Sequence, residues 1–224
     1  MVVIFDVDGT LIDGEERDWH CFRQAIRQVA GFDPDEKFWQ SIEEFTGRAI
    51  VRAVARTVDM DYSDDFEMRI RRQYLANLRE ECPHKGEVFF PKPGAKELLA
   101  LLRSSPVFGI AIATGEFSEV SRFKLASSKT NIRGIPFATG SDEECRKDII
   151  CLAAKSAGYD VSDAVYVGDG LWDLKACEQL GIPFIGTGIF LEKLREAGAE
   201  YLVPDLFPGT VLPVINTILC SQDD

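Results

Sequence analysis

Short apolar runs that stop abruptly at glycine or a polar residue, separated by stretches of helical spacing, set the tightest limit on how this chain can fold. The first is Val2-Val3-Ile4-Phe5, mostly β-branched and cut off by Asp6, Asp8, Gly9 and Thr10. Such a run reads as a strand buried on both faces of a sheet. The pattern returns in FGIAIATG (108–115), IPFATG (135–140), AVYVGDG (164–170), PFIGTG (183–188) and EYLV (200–203). Between these runs GAKELLALLRSS (94–105), RKDIICLAAKSAG (146–158) and LWDLKACEQLG (171–181) read as helices, and Ser118 stands where it would cap the helix after ATG. Strands alternating with helices imply βαβ units, hence an α/β fold with a parallel sheet and helices on both faces.

From Gly14 to Phe90 the text is helical instead. Trp19, Phe22, Ile26 and Val29 recur at helical spacing, as do Ile50, Val54 and Val58, and then Phe66, Ile70, Tyr74 and Leu78; no strand is convincing before EVFF (87–90). The expected organisation is a core of residues 1–13 and 91–224, with a helical bundle of residues 14–90 inserted after the first strand. An apolar content of 46% over 224 residues is enough to bury such a core. A net charge of −12 argues against nucleic acid or an anionic membrane as the main partner, since both call for a basic face. No apolar run approaches the ~20 residues that span a bilayer. Six scattered cysteines without a CxxC pair, and no signal peptide, point to a reduced cytoplasm with the thiols acting as small hydrophobes.

Three strand ends carry polar residues in the same way: Asp6 with Asp8, Thr114 with Gly115, and Asp169 with Asp173 one helical turn beyond. The carboxyl ends of parallel strands share one edge of the sheet, where ligands bind. Four carboxylates crowded there cannot all ionise unless a cation is present or some hold protons. Magnesium suits the site, because it takes oxygen ligands from one or two carboxylates and completes its shell with water and phosphate oxygens.

DVDGT, ATG, a basic residue opening a helix, and GDGLWD, in this order, resemble the four motifs of the haloacid dehalogenase-like superfamily. The helical stretch stands where its helical-cap branch, the phosphoglycolate phosphatase and β-phosphoglucomutase-like members, carries a cap. The resemblance implies a Rossmann-like core in which Asp6 attacks phosphorus to give an aspartyl phosphate. Asp8 would protonate the leaving oxygen and then activate water. Magnesium would be held by Asp6, the Asp8 carbonyl and Asp169, with Asp173 orienting that shell, while Thr114 Oγ and the Gly115 N–H would hold phosphoryl oxygens.

The third motif departs from the family pattern of a lysine near prolines: the chain reads GSDEECRKDII, without prolines, and both Arg146 and Lys147 open the helix. Neighbours on a helix point about 100° apart, so one of the two faces the cleft, and spacing does not choose between them. FTGRAI (45–50) resembles the loop that descends onto substrate in helical-cap members, giving Gly47 flexibility and Arg48 a leaving-group contact; a plain loop with a solvated arginine is the alternative. His20, near the hinge, could meet substrate, although Trp19 and Phe22 beside it argue for partial burial. Arg69, Arg71 and Arg72 read as a solvated helix face, and Trp172 as packing beneath the cap.

The expected function is a magnesium-dependent phosphatase acting on a small phosphorylated metabolite, in a monomer or homodimer. A sugar phosphomutase ranks second, since it uses the same aspartyl phosphate and cap. A dehalogenase would need neither Asp8 nor a metal, because halide leaves carbon without a proton. A receiver-like switch would not need the helical insertion.

Overall fold

The computed structural model describes residues 1–82 and 88–222. Six strands form one parallel sheet: β1 (Val2–Phe5), β4 (Gly109–Thr114), β5 (Phe137–Thr139), β6 (Ala164–Gly168), β7 (Phe184–Gly186) and β8 (Tyr201–Leu202). Their order is β5-β4-β1-β6-β7-β8, with β1 in register between β4 and β6: Val3 stands opposite Ile110 on one side and Val165 on the other. The chain runs outward from β1 through β4 to β5, then returns to place β6 on the other side of β1. That reversal opens a crevice at the carboxyl ends of β1 and β6.

β1 is apolar throughout because alternate side chains enter two different cores. Val2 and Ile4 pack with Ile149, Ile150 and Cys177 from α7 (Arg146–Ser156) and α8 (Leu171–Leu180). Val3 and Phe5 join Leu98, Leu125 and Ile215 from α5 (Ala95–Ser104), α6 (Ser118–Ser127) and α10 (Pro208–Gln222). Helices therefore cover both faces, as the alternating pattern requires. Neither α9 (Leu191–Glu196) nor α10 was legible; α10 contains Pro213, which reads locally as a helix breaker.

Between β1 and β4 lie α1 (Glu15–Ala30), α2 (Glu36–Gln40), α3 (Gly47–Thr57) and α4 (Asp64–Glu81). Asp35, Thr46 and Ser63 cap the last three by accepting from backbone N–H groups three residues on, and Gly31 closes α1 in the left-handed conformation. α1 lies against α4, and Phe22, Ile26, Val54 and Ile70 belong to the same apolar cluster as Val3 and Phe5. The chain enters and leaves this helical segment through a short antiparallel pair, β2 (Ile12–Asp13) with β3 (Phe90–Pro91). The strand expected at EVFF is thus shifted to Phe90–Pro91, with Glu87 outside the described residues. Ser118 does not cap α6: Phe117 holds that position, and the Ser118 N–H donates to Ser141 Oγ at 3.0 Å.

Gly94 begins α5 at φ +82°, where a Cβ would stand 2.1 Å from the Phe207 backbone nitrogen. Gly134 has a similar φ of +79° but open space around it. Left-handed strain alone costs an L-residue about 1–2 kcal/mol. Gly134→Ala should lose about that much in urea unfolding, and Gly94→Ala distinctly more, because the Leu206–Phe207 backbone must also move.

Candidate active site

Asp6 leaves β1 directly into the crevice, its N–H donating to the Val167 carbonyl at 2.9 Å, and its side chain is buried. Asp169 follows β6, accepts from Thr10 Oγ1 at 3.3 Å and is buried too. Asp173, in the first turn of α8, is fully buried. Its carboxylate accepts from the Gly170 N–H at 3.1 Å and the Tyr166 hydroxyl at 3.3 Å. Oxygen atoms of Asp6, Asp169 and Asp173 all lie within 4.8 Å of one another.

A single guanidinium meets these carboxylates. Arg146 Nη1 stands 3.1 Å from Asp6 Oδ1 and 3.4 Å from Asp173 Oδ1, and Nη2 donates to the Phe45 carbonyl at 3.2 Å. Arg146 is buried while Lys147 is exposed, so the structure chooses the arginine and corrects the expectation that left Lys147 open. Gly115 makes room for it: a Cβ there would approach Arg146 Nη2 and the Phe45 carbonyl to 2.8 Å. Thr114, buried at the end of β4, accepts from the Glu116 N–H at 3.3 Å.

Burial, then the charge of Asp173, pushes the Asp6 carboxyl well above its ordinary range, against the pull of Arg146. Burial raises Asp173 as well, again opposed by Arg146. Asp6 and Asp173 share one guanidinium beside the buried Asp169, and every donor is oxygen. That excess of negative charge suits a hard divalent cation such as magnesium. Asp6 and Asp169 offer oxygen ligands to such an ion, while Asp173 is already engaged by Arg146, Tyr166 and Gly170.

A second charged cluster adjoins the first and had no counterpart in the sequence reading. Lys124 of α6 is completely buried, with Nζ 2.8 Å from Asp8, 2.8 Å from Asp18 of α1 and 3.1 Å from Glu116. Burial pulls its ammonium down, but the three carboxylates outweigh this and hold it well above the usual lysine range. The Tyr74 hydroxyl of α4 meets both Asp18 and Glu116. Burial raises Asp18 to about 7, against the pull of Lys124. The legible sign was a lysine four residues after Val120 on the buried stripe of α6.

The residues expected to touch a leaving group are rearranged. Arg48 does not reach the cleft: its guanidinium stands 3.3 Å from Glu67 and donates to the Ser141 carbonyl at 2.5 Å. Gly47 is no mobile loop; it is the buried first residue of α3, its N–H donating to the Gly115 carbonyl at 2.8 Å. His20 is neither half-buried nor in the cleft but exposed on an outer groove with Arg23 and Asp33. Arg69 and Arg72 are solvated as expected, whereas Arg71 pairs with Glu67 and, through two nitrogens, with Glu119. Trp172 both packs and lines the cleft, stacked on Phe45 at 4.6 Å with ring planes 11° apart.

The family model of the haloacid dehalogenase-like hydrolases matches residues 1–181, from the first strand to the end of α8. The chain belongs to that family. Among curated relatives of this haloacid dehalogenase-like hydrolase, a probable phosphatase IndB of Dickeya dadantii is 26% identical, over 94% of this chain and 91% of the relative. An N-acetylmuramic acid 6-phosphate phosphatase of Pseudomonas aeruginosa is 28% identical, over 98% and 96%. In fold, the hydrolase is similar to a β-phosphoglucomutase from Clostridium difficile, with a TM-score of 0.73, 17% identity and coverage of 100% and 99%. No helix among the described residues is long and apolar enough to cross a membrane.

Lys124→Met would leave Asp8, Asp18 and Glu116 without their ammonium. It should cost about 3–5 kcal/mol at neutral pH, the usual penalty for breaking a buried pair. In the parent chain Asp18 binds its proton more tightly when folded, at about 7 against an ordinary value of 3.8. Its share of stability is therefore full below about pH 4 and is lost as pH rises through about 7. Asp18→Asn should flatten the pH 4–8 profile of unfolding free energy across that window.

Proposed function

We propose that this hydrolase is a magnesium-dependent phosphatase that cleaves a small phosphomonoester through a phosphoryl group carried on Asp6. The observation that carries this reading is the arrangement at the β1 and β6 ends. A buried carboxylate stands beside a guanidinium and a second buried carboxylate, and another aspartate follows it by two residues. Relatives named as phosphatases over nearly the whole chain support it.

In this reading Asp6 supplies the carboxylate oxygen that bonds to phosphorus as the bond to the leaving oxygen breaks. Asp8 gives that oxygen a proton; it then takes one from the water that attacks phosphorus, releasing phosphate and restoring Asp6. Arg146 offsets charge on Asp6 and on the phosphoryl group, and Thr114 Oγ and the Gly115 N–H would donate to its oxygens. The bound magnesium would neutralise charge on the nucleophile and phosphoryl oxygens. The helical segment 14–90 serves as the cap, resting on the core through Phe45, Gly47 and Asp18. A sugar phosphomutase remains the second reading, because it needs the same groups and differs in returning the phosphoryl group to sugar instead of water.

Hydrolysis of an activated aryl phosphate should vanish in EDTA and return with magnesium; full activity in EDTA would remove the metal from the reading. Asp6→Asn should abolish turnover. Asp8→Asn should lose least with leaving groups that need no proton, and an aspartyl phosphate should then accumulate, visible as a mass increase on the intact chain. Isomerised sugar phosphate without free phosphate would favour the mutase.

A further inference from the structure

The cleft over Asp6 encloses about 320 Å³, at the small end of ligand pockets, and its two sides differ in chemistry. The side at the strand ends is carboxylate, hydroxyl and guanidinium. The facing wall is aromatic: Trp19 and Phe22 from α1, Phe45 from the turn before α3, and Trp172 and Phe190 from the core. Phe45 stacks face to face on Trp172, and Trp19 meets Phe45 edge-on at 5.5 Å and 61°. These packed rings make the cleft lining on the helical side largely apolar.

The same cleft offers no free cation to a leaving group. Among the described residues Arg146 is its one cationic lining residue, and its terminal nitrogens are engaged by Asp6, Asp173 and the Phe45 carbonyl. Lys124, just behind, is matched by three carboxylates, Asp8, Asp18 and Glu116, all of which line the cleft. Arg48 is turned away to Glu67. An anionic leaving group would therefore stand beside Glu116 in a cleft whose built-in cations are already matched by carboxylates, and like charges at close range repel.

We propose that the substrate, on the phosphatase reading above, is a phosphomonoester whose leaving group is uncharged and presents a flat apolar face to Trp19 and Phe45. That face is an aromatic ring or the C–H side of a sugar ring. Esters carrying a carboxylate on the leaving group are selected against by Glu116.

Matched pairs that differ by one charge test this, with phosphate release followed in magnesium: benzyl phosphate against 4-carboxybenzyl phosphate, and 2-hydroxyethyl phosphate against phosphoglycolate. The uncharged member of each pair should lead in kcat/KM by on the order of tenfold or more. Glu116→Gln should shrink that ratio, and Trp19→Ala should shrink the advantage of benzyl over ethyl phosphate. Glucose 6-phosphate in the same panel separates a sugar face from an aromatic one. Equal rates within both pairs, or faster hydrolysis of the carboxylate esters, would overturn the substrate class while leaving the phosphatase intact. Release of phosphate from no ester and from acetyl phosphate, with Asp6→Asn no different from the parent, would instead overturn the phosphatase reading and this proposal with it.

Discussion

Carboxylates buried side by side repel one another and lose their hydration, and the centre of this molecule is arranged around that difficulty. Two built-in cations answer it. Arg146 reaches from the start of α7 to Asp6 and Asp173, and Lys124 reaches from α6 to Asp8, Asp18 and Glu116. Neither offsets its cluster in full, so both remain net acceptors of positive charge or protons. Clustered carboxylate oxygens of this kind suit a hard divalent cation.

The geometry around each cation follows from the same need. Gly115 lacks a side chain where the Arg146 guanidinium passes, and the Phe45 carbonyl accepts a hydrogen bond from its Nη2. Lys124 joins α1 to α6 through Asp18, and Tyr74 joins α4 to the same point. The helical segment is thus tied to the sheet at its charged centre as well as through the apolar cluster shared by Phe22, Val54 and Phe5. The β2–β3 pair, two residues long in each strand, is by contrast a slender connection.

The α/β scaffold places the strand ends together but does not choose the chemistry done there. A β-phosphoglucomutase has a similar fold at 17% identity, and the curated relatives named as phosphatases match over nearly the whole chain. On the helical side the cleft of this chain is lined by aromatic and acidic residues.

The βαβ alternation, the acidic ends of β1 and β6, and the order of the four motifs were legible in the sequence. Each depends on local pattern: a strand buried on both faces must be apolar throughout, and a strand end at the sheet edge can afford polar residues. Periodicity also located α1, α3 and α4. Only tertiary structure decided between Arg146 and Lys147, turned Arg48 toward Glu67, left His20 in solvent, and brought Lys124 to Asp18, 106 residues away. Those outcomes depend on which charges meet across long stretches of chain. A charged residue looks alike in the sequence whether it ends in water or against a buried partner, and folding alone supplies the partner.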